Sequence, residues 1–214
     1  MMWKRATVLC AGAIATLVIA GCGGSESGGE HTDAHGSQAQ APTSSVPSAA
    51  DHNDADIMFA QHMIPHHQQA IDMSDIVLGK QGIDPRVTEL ATQIKAAQGP
   101  EITQMRGWLQ QWGNPPMPPM GSGDGHGGHD MGGMSGDAMG MMSDQEMSAL
   151  EAAGGAEASR LFLTGMITHH QGAIDMARDE IDDGKFAPAI ELAHSIVKTQ
   201  QQEIDTMKGL IGTL

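Results

Sequence analysis

The sequence predicts an all-α protein, a four-helix bundle assembled from two copies of one helical hairpin. Three observations predict it. The stretch Met-Ile-Pro-His-His-Gln-Gln-Ala-Ile-Asp-Met at 63–73 recurs as Met-Ile-Thr-His-His-Gln-Gly-Ala-Ile-Asp-Met at 166–176, nine of eleven positions being identical at an offset of 103. A second pattern, Gln98-x-x-Glu101-Ile102-x-x-Met105, recurs as Gln200-x-x-Glu203-Ile204-x-x-Met207 at an offset of 102. In both patterns the apolar residues follow helical spacing, with Asp72 opposite them in the first and Gln98 and Glu101 sharing their face in the second.

The elements follow in chain order. Residues 1–21 read as a lipoprotein signal peptide, with Lys4 and Arg5 as its basic region and Ala6 to Ile19 as an apolar run short for a membrane span. Ile19-Ala20-Gly21-Cys22 resembles a bacterial lipobox, which implies cleavage before Cys22 and a diacylglycerol on its sulfur. The alternative is an ordinary signal peptide cut elsewhere. The lipobox reading makes the protein extracytoplasmic and lipid-anchored to the bacterial cell membrane. The chain has two cysteines. Cys10 leaves with the signal and Cys22 is lipidated, so thiolate and disulfide chemistry are excluded and any soft metal must rest on thioether and imidazole. The net charge of −15 argues against nucleic acid or an anionic membrane surface as partner, leaving the lipid anchor as the membrane contact, and it suits a protein that attracts cations. Residues 22–53, rich in Gly, Ser, Ala, Gln and Pro, read as a disordered tether with a reach of roughly 30 Å. His31, His35 and His52 are expected to be solvated within it.

The folded domain is expected over 54–214. Its first hairpin is 54–113, followed by a Met/His/Gly-rich linker at 114–142 and a second hairpin at 143–214. The first helix begins near Asp54 or Asp56, where acidic residues favour a helix N-terminus. At about 100° per residue, Phe59, Met63, His66, His67, Ala70 and Met73 share one face about 120° wide, with Asp72 opposite. Pro65 removes a backbone hydrogen bond and is expected to kink the helix, a feature the second copy lacks because Thr168 stands there. Asp84-Pro85 reads as an N-cap and first-turn proline opening a second helix to about Trp112, with another kink expected at Gly99-Pro100. Gln98 and Glu101 fall on its apolar face, as Gln200 and Glu203 do in the repeat. A buried carboxylate is costly by several kcal/mol in order of magnitude unless it is paired, so the facing histidines are the expected partners.

The linker holds seven of its methionines between 117 and 142, with His126 and His129, and its Gly and Pro content predicts that it forms no core element. It reads either as a flexible connection or as a loose tract that collects soft cations. Ser143-Asp144-Gln145-Glu146 is a capping-box signature for a short helix ending at Gly154-Gly155. The third long helix is expected over about Glu157 to Asp182, repeating Phe162, Met166, His169, His170, Ala173 and Met176. Pro188 opens the last helix.

Packed together, the hairpins would bury both histidine stripes in one layer. The chain is identified here as resembling the bacterial domain of unknown function 305 family, on Met-x-x-His-His-x-x-Ala-x-x-Met followed by Gln-x-x-Glu-Ile-x-x-Met. The resemblance spans 54–112 and 143–214. It implies a ferritin-like bundle, and the family includes a periplasmic copper-binding protein. By that resemblance Met63, His66, His67, Met73, Met166, His169, His170 and Met176 are the expected metal ligands, with Gln98, Glu101, Gln200 and Glu203 in support behind them. The chemistry agrees: thioether selects copper(I) or silver(I), and imidazole also serves copper. Because imidazole must be neutral to bind, affinity is expected to weaken as pH falls through roughly 6.5. The leading reading is a copper(I)- and silver(I)-binding lipoprotein for tolerance, buffering or delivery, without catalysis. Two others compete with it. A ferritin-like di-metal (iron) oxidase would use the histidines with Glu101 and Glu203, but the chain offers one glutamate per copy and no tyrosine. A non-metal bundle would use the core histidines, satisfied by hydrogen bonds, only to fix how the hairpins pack.

Overall fold

The structure, a computed structural model, describes residues 51–116 and 139–214. The signal peptide, Cys22, the tether to residue 50 and linker residues 117–138 lie outside the described residues. Four long helices and one short one form an all-helical bundle: α1 (Asp54–Leu78), α2 (Pro85–Trp112), α3 (Asp144–Ala152), α4 (Gly155–Asp183) and α5 (Ala187–Ile211).

The helix starts are where local chemistry puts them. Asn53 caps α1 in a capping box with Asp56, Asp84 caps α2 ahead of Pro85, and Ser143 with Glu146 closes the capping box of α3. Pro65 and Pro100 are accommodated inside α1 and α2, each of which remains one continuous helix. The fourth helix starts two residues earlier than the sequence suggests because Gly154 serves as its N-cap.

The two helices that carry the repeated motif, α1 and α4, pack against each other. Helix α2 lies along α1, α5 lies along α4, and α3 bridges α1 and α4. The core divides into two apolar clusters. One joins Phe59, Ala60, Met63 and Ile64 of α1 to Ile102, Met105, Trp108 and Leu109 of α2, Ala173 and Ala177 of α4, and Ala189 to Ile196 of α5. The other joins Ala70, Met73 and Val77 of α1 to Val87 through Ile94 of α2, Phe162, Leu163 and Met166 of α4, Ile204 and Met207 of α5, and Leu150 of α3. The N-terminal half of α1 therefore shares a cluster with the C-terminal half of α4, so the two helices run antiparallel. In all four long helices one polar step interrupts the apolar stripe between the clusters: 66–67, 98–101, 169–170 and 200–203.

Two segments expected to be solvated are packed instead. His52 stacks on Trp112 with ring centroids 4.6 Å apart and planes 9° from parallel, so the tether ends before it. Met139 and Met142, at the C-terminal end of the linker, are buried at 5% and 9% exposure. Composition predicts no core role for the linker, but its last four residues seat against α1 and α4. Gly140 sits at φ 72° with Thr168 O where its Cβ would be, and a Cβ on Gly172 would meet the Met139 carbonyl. A glycine on each side is what allows the backbones to approach so closely.

Candidate metal centre

Each histidine pair is brought to the α1–α4 contact by the helical spacing that puts its Met and Ala neighbours there. His66, His67, His169 and His170 are all fully buried. The His66 and His169 rings lie 3.7 Å apart at 35°, and the His169 and His170 rings lie 6.3 Å apart. The layer predicted from the duplicated motif is therefore present.

The polar residues of α2 and α5 complete it. His67 Nε2 donates to Glu101 Oε2 at 2.8 Å, and His170 Nε2 to Glu203 Oε2 at 2.6 Å. The first histidine of each pair turns to a main-chain carbonyl: His66 Nε2 donates to Met139 O at 2.9 Å and His169 Nε2 to His66 O at 3.0 Å. An oxygen that can only accept faces every Nε2, which fixes the neutral tautomer with its proton there. Every Nδ1 is then a bare lone pair, and all four are buried without a hydrogen-bond partner. Beside them, Gln98 and Gln200 are buried, with both amide atoms of Gln98 and Oε1 of Gln200 unpartnered. Buried polar atoms are nearly always satisfied, so this many in one layer call for a ligand.

Burial favours the neutral form of His66, His169 and His170. Desolvation, reinforced by the His67 ring, pushes His66 down to about 3 against the weaker upward pull of the Met139 carbonyl. His169 lies well below the ordinary value, chiefly through desolvation and then through its histidine neighbours. Desolvation also lowers His170, opposed by its bond to Glu203. Proton competition at these three rings is thus weaker than the ordinary imidazole range expected from sequence implies.

The methionines flank the layer. Met63, Met73 and Met166 are fully buried. Met63 and Met166 stand three residues before their histidine pairs, about 4.5 Å along the axis. Met73 and Met176 lie beyond the pairs, and Met176 is only partly buried, at the edge of the first cluster. Among the described residues no three His, Cys, Asp or Glu side chains form a cluster that would hold a metal ion by themselves, so sulfur is needed to complete a ligand set.

Sequence reasoning missed two supporting contacts. The Met139 carbonyl orients His66, and the Gln69 side chain clamps the same segment, donating to Met142 O and accepting from Met142 N, both at 2.8 Å. Low-complexity sequence carries no register that could reveal either one.

A bundle whose duplicated helices meet in a layer of buried, lone-pair-bearing histidines, each held from behind by an oxygen, has the build of a metal-binding helical protein. The chain belongs to the DUF305 family, domain of unknown function, whose model matches residues 56–211. It is similar to a DUF305 fragment from Deinococcus radiodurans, at 34% identity and TM-score 0.66, covering 77% of this chain and 99% of that one. It is similar to a DUF305 protein from Streptomyces coelicolor, described as a candidate secreted protein, at 34% identity and TM-score 0.63, covering 74% and 92%. It is also similar to CopM in its Cu(I)-bound form, at 31% identity and TM-score 0.56, covering 72% and 94%; CopM has Cu(II)-bound and Ag-bound forms as well. No curated protein matches the chain. Among the described residues no helix is long and apolar enough to cross a membrane.

Proposed function

We propose that the protein is an extracytoplasmic, lipid-anchored carrier of copper(I), with silver(I) as an equivalent soft ion, that buffers or delivers the metal or confers tolerance to it without catalysis. The observation that carries this reading is the set of four buried Nδ1 lone pairs with no donor to satisfy them. Metal-binding histidines characteristically give their other ring N–H to a carboxylate or a main-chain carbonyl, which fixes the tautomer and the ring orientation. All four Nε2 atoms here do that, to Glu101, Glu203, Met139 O and His66 O.

The residues divide the work. The imidazoles supply neutral nitrogen, Met63 and Met166 are the thioethers nearest along the helices, and the two apolar clusters keep water out. Sulfur with nitrogen favours copper(I) and silver(I), which accept low coordination numbers. Each histidine pair has one glutamate and engages it through Nε2, so the layer lacks the carboxylate set of a di-iron centre. That supports a carrier over an oxidase. The similarity to CopM in its Cu(I)- and Ag-bound forms supports the choice of ion. The lipobox at Ile19–Cys22 supports the anchor.

The test is a competition titration of copper(I) under reductant, comparing the full chain with a variant in which His66, His67, His169 and His170 are all alanine. Affinity should fall by more than the roughly 10–100-fold that loss of an outer hydrogen-bonding partner costs. A variant that keeps its helical circular dichroism and binds copper(I) as tightly as the wild type would refute the assignment.

A further inference from the structure

The duplication places matching surfaces on α1 and α4, and they are covered differently. On one side, α3 and Met142 lie over Gly165 and Leu161; a Cβ on Gly165 would come 2.7 Å from Met142 Sδ. At the offset of 103, the counterparts of Leu161 and Gly165 in the other groove are Met58 and His62, and the counterpart of Val77 is Glu180. The apolar, covered version shows what packing alone requires. The other groove, about 400 Å³ and lined by Met58, His62, Met176, Asp179, Glu180 and Asp183, has exchanged that for donor atoms.

We infer that this groove is a second soft-cation site, separate from the histidine layer, built by the Met58 thioether, the His62 imidazole and the Met176 thioether. Met58 and His62 are four residues apart on α1, so they stand one above the other on the same face; Met176 and Glu180 do the same on α4. Met58 is 53% exposed, the one large apolar side chain so exposed among the described residues. A methionine there contributes little packing, and its sulfur is left free to bind. Glu180 is 1% exposed, and burial, then its contact with the Asp56 carboxylate, pushes its carboxyl up to about 9, so it lines the groove in its neutral form. The Asp56 carboxylate also accepts from the main-chain N–H groups of Asn53, Lys185 and Phe186. Asp179 and Asp183 add a negative rim that concentrates cations.

The donor chemistry sets the class. No three His, Cys, Asp or Glu side chains cluster among the described residues, so a hard divalent ion lacks its oxygen cage, whereas two thioethers and an imidazole suit a soft monovalent ion. The position sets the independence. Met176 lies six residues past His170, about 9 Å along the helix, whereas Met166 stands three residues before His169.

The experiment is a silver(I) titration of the full chain carrying 13C-methyl methionine, with each methyl resonance read separately. The Met58 and Met176 resonances should move together, in the wild type and equally in the variant lacking the four layer histidines. The double variant Met58→Leu, His62→Ala changes only partly exposed positions and should abolish the Met176 response while the Met63 and Met166 responses persist. Linker methionines report at their own resonances, and a failure of the layer would appear at Met63 and Met166 alone. The inference is overturned if Met58 and Met176 stay unmoved while Met63 and Met166 shift. It is equally overturned if the double variant leaves the Met176 response intact.

Discussion

The His66 ring sits between the Met139 carbonyl and the His169 ring, fully buried, with a pKa of about 3. In the unfolded chain the same ring titrates near the ordinary value of about 6.5. Between those values the unfolded state binds the extra proton, so stability rises with pH across the window and is fully present above about 6.5. His169 and His170 are lowered in the same direction. These rings should therefore cost the metal-free protein stability, on the order of a few kcal/mol, as pH falls from about 6.5 toward 4, opposed by Glu180, whose carboxyl burial raises to about 9 and which favours the fold as pH falls. Urea unfolding of metal-free protein at stepped pH checks this, and His66→Gln should flatten the dependence. A dependence left unchanged by His66→Gln would show that this ring is not held neutral. Burial of the pair was legible in the sequence, because both rings fall on the methionine face. The tautomer was not, since it depends on carbonyls contributed by Met139 and by His66 itself, which no periodicity encodes.

At the scale of elements, helix boundaries followed from caps that can be read directly: Asp84-Pro85, Ser143 with Glu146, and glycines at the ends. What could not be read is how separate elements are tied together. Asp56 belongs to the first turn of α1, where an acidic residue is expected for the helix dipole alone. In the fold it is fully buried and does three jobs. It accepts from Asn53 N at 2.6 Å to close the capping box, and from Lys185 N at 3.1 Å and Phe186 N at 2.8 Å at the start of α5. The second copy has Ser159 at this position, so comparison of the repeats gives no hint of the tie. Asp56→Ala leaves those buried main-chain donors unsatisfied and removes its half of the capping box, which should cost about 2–4 kcal/mol. Chemical denaturation measures it. A loss no larger than that of an exposed substitution such as Asp72→Ala would mean the tie contributes nothing.

On the scale of the whole molecule, the duplication predicted the bundle and its histidine layer, because a hairpin with one apolar face must find a partner. The linker is the part that composition misjudged. Both of its ends dock on α1: Gln61 donates to Pro115 O at 3.0 Å, and His66 to Met139 O at 2.9 Å. Five residues of helix, about 8 Å, separate those anchors. A short Gly/Ser bridge can therefore replace 117–138 without moving either anchor, and the bundle should keep its stability and the affinity of its histidine layer. Copper(I) stoichiometry should fall, because Met117, Met120, Met131 and Met134 are removed. Extending the replacement through residue 142 should behave differently. It removes the carbonyl bonded to His66, the two hydrogen bonds to Gln69, and the buried side chains of Met139 and Met142. Burying a methionine is worth about 1.5–3 kcal/mol, so the longer replacement should lower the denaturation midpoint clearly where the shorter does not. It should also weaken copper(I) binding at the layer, by freeing the His66 ring to turn. If the two replacements unfold and bind alike, the docked end of the linker plays no part in holding the site.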